Sequence, residues 1–292
     1  MMDAVVSTQQ LGKSIGHKAL LRDVTVSVAP GNIVGILGKN GAGKTTLIDI
    51  LLGFSPATQG TASLFGTDSF ALPADTKRRI GFVPQQDDLI DSLTGAQHLS
   101  LNASLHRHWD TELIARLCNE WDIPLERPVQ AMSGGQRQKI STLLALGHVP
   151  DLLVLDEPAS SLDPIARRQF LQQLLDIAQA PSRTVLFSTH IVADLERVAN
   201  KVWIVREGAI AWQGDLDALK ESVVRLRLLC HRPLPSSLAI DGVLSQRIDG
   251  ARADIVVGDW SESRHQELAR QLNAEIAVEN LSLEDIFLEL HR

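Results

Sequence analysis

Residues 38–45 read Gly38-Lys39-Asn40-Gly41-Ala42-Gly43-Lys44-Thr45, the pattern G-x-x-x-x-G-K-[ST]. Its setting fits the pattern's mechanics. An apolar run, Ile33–Leu37, precedes it as a strand, and 44–53 repeats apolar residues at helical spacing. Glycines let backbone N–H groups curl around a phosphate, and the following helix N-terminus adds a favourable dipole. Gly38, Asn40, Gly41, Ala42, Gly43, Lys44, Thr45 and Thr46 are therefore the nucleotide-binding candidates, with Lys44 aimed at the β- and γ-phosphates and the Thr45 hydroxyl at Mg²⁺.

Outward from this loop, short apolar runs alternate with helical patterns. Val24–Val28, Ile80–Val83, Leu152–Asp156, Thr184–Ser188 and Val202–Val205 read as further strands, and 134–147, 163–179 and 190–199 as amphipathic helices. Such alternation predicts an α/β fold, a nucleotide-binding core around a mostly parallel sheet covered on both faces. Between Asp87 and Gly147 no strand is evident, which predicts a helical insert over about 87–149. Near residue 222 the pattern changes. Arg225–Cys230, a hairpin turn at Asp249-Gly250, a helix over Ser261–Asn273, a short strand and a last helix over Leu283–His291 predict a small α+β appendage, 223–292, after a main domain, 1–222.

Composition limits the rest. Of 292 residues, 44% are hydrophobic and 22% charged, which excludes disorder, collagen and coiled coil as the main architecture. A net charge of −7 argues against nucleic acid as a partner. Cys118 and Cys230 form neither a metal motif nor a disulfide framework, so a reducing compartment is expected. No run approaches the roughly 18 apolar residues of a membrane helix, so the reading is cytoplasmic.

Leu152-Leu153-Val154-Leu155-Asp156-Glu157 is an apolar strand ending in two carboxylates. Asp156 would supply a second anchor for Mg²⁺, and Glu157 could polarise an attacking water as general base. Ser133-Gly134-Gly135-Gln136 then opens a helix about twenty residues before that strand. With this segment the sequence resembles the nucleotide-binding subunits of ABC transporters, whose signature reads LSGGQ; here Met132 takes the first place as an apolar anchor.

The resemblance implies a P-loop NTPase core with an antiparallel β part on the N-terminal side. It further implies that Gln85, next to Gln86, contacts Mg²⁺ and senses the membrane partner, that Ser161-Leu162-Asp163 crosses to the opposite subunit, and that His190 contacts the γ-phosphate. Ser133, Gly134, Gly135 and Gln136 would cradle the γ-phosphate held by a second subunit. Lys44, Gln85, Glu157 and His190 are thus the expected catalytic residues, Thr45, Gln85 and Asp156 the metal ligands, and Asp163 a nucleotide contact. One position departs from the family. An aromatic normally stacks on adenine, whereas Ile15 stands there in a chain with no Tyr, leaving Ile15 or His17 to meet the base. Asn280–Phe287 resembles the ending of an exporter-like branch.

The implied activity is ATP hydrolysis at the interface of a head-to-tail dimer, taken as a homodimer, driving a separate integral-membrane permease from its cytoplasmic face. An ATPase with a non-transport mechanical role and an ATP-binding scaffold remain the alternatives.

Overall fold

The computed structural model describes residues 4–160, 162–178 and 183–291. The chain divides into two compact units, one up to Gln213 and one from Gly214. The first begins with β1 (Val6–Ile15), β2 (Lys18–Val28), β3 (Ile33–Leu37), α1 (Lys44–Leu51), β4 (Gln59–Leu64), β5 (Thr67–Asp68), α2 (Ala74–Lys77) and β6 (Ile80–Val83). It continues through α3 (Gly95–Leu105), α4 (Thr111–Glu120), α5 (Gly134–Leu146), β7 (Leu152–Leu155), α6 (Pro164–Ala178), β8 (Thr184–Thr189), α7 (Val192–Val198), β9 (Lys201–Arg206) and β10 (Ala209–Asp215). Next come α8 (Leu216–Ser222), β11 (Val224–Cys230), β12 (Val243–Asp249), β13 (Arg252–Val257), α9 (Glu262–Leu272), β14 (Ala274–Asn280) and α10 (Leu283–Leu290).

A six-stranded sheet in the order β10-β9-β3-β8-β7-β6 forms the centre of the first unit. Five of its strands pair in parallel. Every residue of β7 and β8 is buried, as strands covered on both faces require. The expected antiparallel part is a second sheet, β2-β1-β4-β5. One hydrophobic cluster joins Val6, Leu11 and Val24 of that sheet to Leu47, Ile48 and Leu51 of α1 and to Ile36 and Val154 of the central sheet. Fully burying each such side chain is worth roughly 1.5–3 kcal/mol. Clamped in this way, α1 carries Lys44 in its first turn to 5% exposure.

The stretch between β6 and β7 is helical, and its isolated bridge Thr94↔Pro128 lies outside any strand. In the second unit four antiparallel strands, ordered β12-β13-β11-β14, enclose a core of Leu226, Leu228, Ile255, Val257 and Leu268. Among the described residues no helix is long and apolar enough to cross a membrane.

Several boundaries differ from the sequence reading. The units part at Gln213/Gly214, not at 222/223, because α8 is tied to the second unit: Trp260 N–H donates to Ser222 O at 2.9 Å. Amphipathic spacing marks a buried face but not the core that receives it. The helix expected over 163–179 runs Pro164–Ala178. The Asp163 carboxylate accepts from Ile165 N and Ala166 N and so caps it, while residue 179 lies outside the described set. The helix expected over 190–199 begins at Val192, which leaves His190 and Ile191 in the loop, and the strand expected to include Asp156 ends at Leu155. α1 stops at Leu51, two residues short of the expected end. The sequence reading also passed over β1 and β4; β1 shifts register against β2 at three places, which erases strict alternation.

Candidate functional site

The strand registers bring the candidate residues to one edge of the central sheet. Leu37 pairs with Thr189, Leu155 with Phe187 and Val83 with Leu155, so the chain after β3, β6, β7 and β8 leaves from the same carboxyl edge. That edge is where α/β sheets bind ligands. The loop after β3 turns through Gly41 at φ 79° and Gly43 at φ 109°. A Cβ on Gly43 would lie 3.0 Å from Leu20 O and 2.9 Å from Leu21 Cδ2, so the position is closed to larger residues on two counts. Asn40, Gly41 and Thr45 are exposed, Thr46 is half-buried, and Gly38 and Ala42 are buried.

Lys44, Glu157 and His190 converge on one point. Lys44 Nζ donates to Gly38 O at 2.8 Å and lies 3.1 Å from Glu157 Oε1, with both side chains 6% exposed. The other carboxylate oxygen, Oε2, accepts from His190 Nδ1 at 2.7 Å. Glu157 and Gly38 O are thus partners of the buried Lys44 ammonium. The Glu157 backbone sits at φ 50°, a strained value for a residue with a Cβ. Beside it, the Ser188 hydroxyl accepts from Glu157 N at 2.9 Å and donates to Asp156 Oδ1.

Asp49 on α1 adds a second carboxyl near Asp156. Burial, and then the negative charge of Asp156, push the Asp49 carboxyl above its usual range. Sequence reasoning missed Asp49 and Ser188. A polar residue inside the apolar run of β8 was the available signal for Ser188. Asp156, Thr45 and Gln85 each offer an oxygen, the donor type that suits a hard cation such as Mg²⁺. Among the described residues no group of three or more His, Cys, Asp or Glu side chains could hold a metal ion.

Gln85 is exposed, two residues beyond β6. Past it the chain is fastened to the signature helix α5. Arg137 donates to both oxygens of Asp87 through Nε, at 3.0 and 2.9 Å, and to Asp91 Oδ1 through Nη1 at 2.8 Å. This pairing holds the Asp87 carboxyl below the usual carboxylate range and raises the Arg137 guanidinium above its own. Ser133 caps α5 in a reciprocal box: its hydroxyl accepts from Gln136 N, and Gln136 Oε1 accepts from Ser133 N at 3.0 Å. Ser133 and Gly134 are exposed at that positive helix end, and Met132 is buried behind them. Among the described residues no hydrogen bond or ion pair joins Ser133–Gln136 to the loop at 38–46. Asp163 is exposed as well, and Ser161 lies outside the described residues.

Ile15 ends β1, 65% exposed, beside a turn through Gly16 and His17. From there β2 runs to Leu20 and Leu21, the residues that abut Gly43.

Comparison with known proteins shows the family. The family profile described as ABC transporter matches residues 21–160. The Nod factor export ATP-binding protein I of Paraburkholderia xenovorans (strain LB400) is 30% identical over 303 residues, covering 99% of this chain and 98% of that one. The bacitracin transport ATP-binding protein BcrA of Bacillus licheniformis is 30% identical over 75% of this chain and 72% of its own. A solved ATP-binding subunit of an ABC transporter superposes with a TM-score of 0.66 at 29% identity, covering 74% of this chain and 92% of that chain. With a phosphate loop, a carboxylate strand and a signature helix in the arrangement described, this chain belongs to the ABC transporter family as an ATP-binding, ATP-hydrolysing subunit.

Proposed function

We propose that the chain works as one half of a head-to-tail dimer of identical copies that binds two Mg·ATP, and that this dimer drives a separate membrane-spanning permease from the cytoplasmic side. One observation carries the reading. Lys44, Glu157 and His190 form a buried cluster, while the exposed signature end of α5 makes no bond to it. A second copy supplying its own Ser133–Gln136 completes both sites by the same contact, as an isologous interface does.

The residue roles follow from position. Lys44 meets the β- and γ-phosphates. His190 meets the γ-phosphate and orients Glu157, and Glu157 takes a proton from the attacking water. Thr45, Asp156 and Gln85 are the residues to hold Mg²⁺, which when bound neutralises charge on the phosphate oxygens. Gly38, Asn40, Gly41, Ala42, Gly43 and Thr46 wrap the phosphates, Ile15 faces the base, and Asp163 lies on the subunit interface. The second unit, from Gly214, serves assembly or regulation.

Mixing Lys44→Ala chains with Gly135→Asp chains tests the shared site. Each variant alone is inactive, whereas a mixed dimer keeps one intact site, so up to about a quarter of the wild-type rate returns on random pairing. An inactive mixture, with mixed dimers shown to form, would overturn the proposal.

The permease surface is a groove of about 250 Å³ lined by Leu52, Phe54, Phe70, Leu72 and Phe82. Phe54 and Phe70 are 63% and 62% exposed, and the Phe54 and Phe82 rings lie 5.5 Å apart. Phe82 stands on β6, three residues before Gln85, so an apolar helix of the permease seated here borders the Mg²⁺-sensing loop. Phe70→Asp should leave ATPase activity of the free subunit within twofold of wild type and abolish its recovery with the co-expressed permease on detergent pull-down. Undiminished recovery would rule the groove out.

A further inference from the structure

We propose that Ser188 is a positioning residue for hydrolysis, setting the Mg²⁺-side carboxylate and the base through one hydroxyl. The proposal rests on the roles assigned above to Asp156 and Glu157. Ser188 is fully buried on β8, next to β7, and its main chain lies in the ladder with Ile36 of β3. The sheet therefore does not need its side chain. That side chain bonds the two residues that close the carboxylate strand: it accepts from Glu157 N at 2.9 Å and donates to Asp156 Oδ1.

A hydroxyl has a single proton, so these two bonds fix its direction. Donation to Asp156 Oδ1 fixes the direction of that carboxylate, the group proposed above to hold Mg²⁺. Acceptance from Glu157 N holds the peptide where Glu157 keeps φ 50°, and from that conformation its side chain reaches Lys44 and His190. A buried serine that only filled space would have no reason to take both partners from the catalytic pair. Losing the hydroxyl leaves the Glu157 amide without this acceptor and frees the Asp156 carboxylate to turn.

The test compares Ser188→Thr with Ser188→Val in the full chain. The two side chains share one shape and differ in the hydroxyl. Ser188→Ala, which adds no atoms to the packed site, repeats the comparison if Val does not fold. Three quantities are measured: the melting temperature, ADP affinity with Mg²⁺ and with EDTA, and kcat and KM for ATP. Thr should keep kcat within about threefold, whereas Val should lose about tenfold or more with little change in KM. Val should also lose most of the Mg²⁺-dependent gain in ADP affinity while its affinity in EDTA is unchanged. Equal behaviour of Thr and Val would overturn the proposal, as would a Val effect confined to melting temperature or equal with and without Mg²⁺. ADP binding requires no hydrolysis, so this readout stands even if Glu157 proves not to be the base.

Discussion

Glu157→Gln reduces steady-state ATP hydrolysis by roughly a thousandfold, the range a positioned general base supplies, and nucleotide binding survives. The amide keeps the size of the side chain and loses its basicity, and the substitution changes no residue of the phosphate loop and leaves Asp156 in place. The geometry adds a second expectation. In the wild-type chain the Glu157 carboxylate lies 3.1 Å from Lys44 Nζ, both groups being buried, so on the role proposed for Lys44 a phosphate would compete with it. Gln competes for Lys44 far less strongly. ADP affinity should therefore rise severalfold in the variant, a change independent of turnover and readable by fluorescent-nucleotide titration. With ATP the variant should accumulate as a dimer on a sizing column. Turnover within tenfold of wild type would sink the base assignment, and an ADP affinity that falls would sink the competition.

Lys44→Ala has the opposite signature, with binding lost by about a hundredfold or more, since a desolvated charged donor to the phosphates disappears. The substitution also strands the Glu157 carboxylate, 6% exposed, without its cation. Removing one member of a buried pair typically costs ~3–5 kcal/mol, so the melting temperature should drop as well. Lys44→Ala with Glu157→Gln separates the two effects. Relieving the stranded charge should recover most of the stability and none of the binding. ATP affinity within threefold of wild type in the single variant would show that Lys44 does not meet the phosphates.

The arrangement that yields these expectations assigns two tasks to Glu157. Through Oε1 it pairs with Lys44 and through Oε2 it accepts from His190, so on the roles proposed above a γ-phosphate that engages both would free the carboxylate to act on water. Arg137, pinned to Asp87 and Asp91, fastens the chain just past Gln85 to the helix that carries the signature.

Local motifs were legible because their backbone constraints are local. Gly41 and Gly43 mark positive φ in the primary sequence, Lys44 and Thr45 follow at the only spacing that puts them in the first turn of α1, and β3, with its continuous apolar run, matches its expected bounds residue for residue. Ser133 and Gln136 likewise announce the N-terminus of α5 as a capping box. The hairpin at Asp249-Gly250 follows from a glycine at φ 60° between two β-like runs. What spacing could not carry is contact between distant segments. The Lys44–Glu157 pair, the Ser188 bridge and the Arg137–Asp87 latch arise because parallel pairing sets β3, β8, β7 and β6 side by side at one edge, and no sequence period encodes which strand neighbours which. The same holds for α8, which the sequence reading did not identify and which falls with the second unit, where Trp260 N–H donates to Ser222 O. The sequence by itself determined the phosphate loop, the carboxylate strand and the family, because each lives in a few consecutive residues. The tertiary structure alone decided how Glu157 is held between Lys44 and His190, because that depends on three strands meeting.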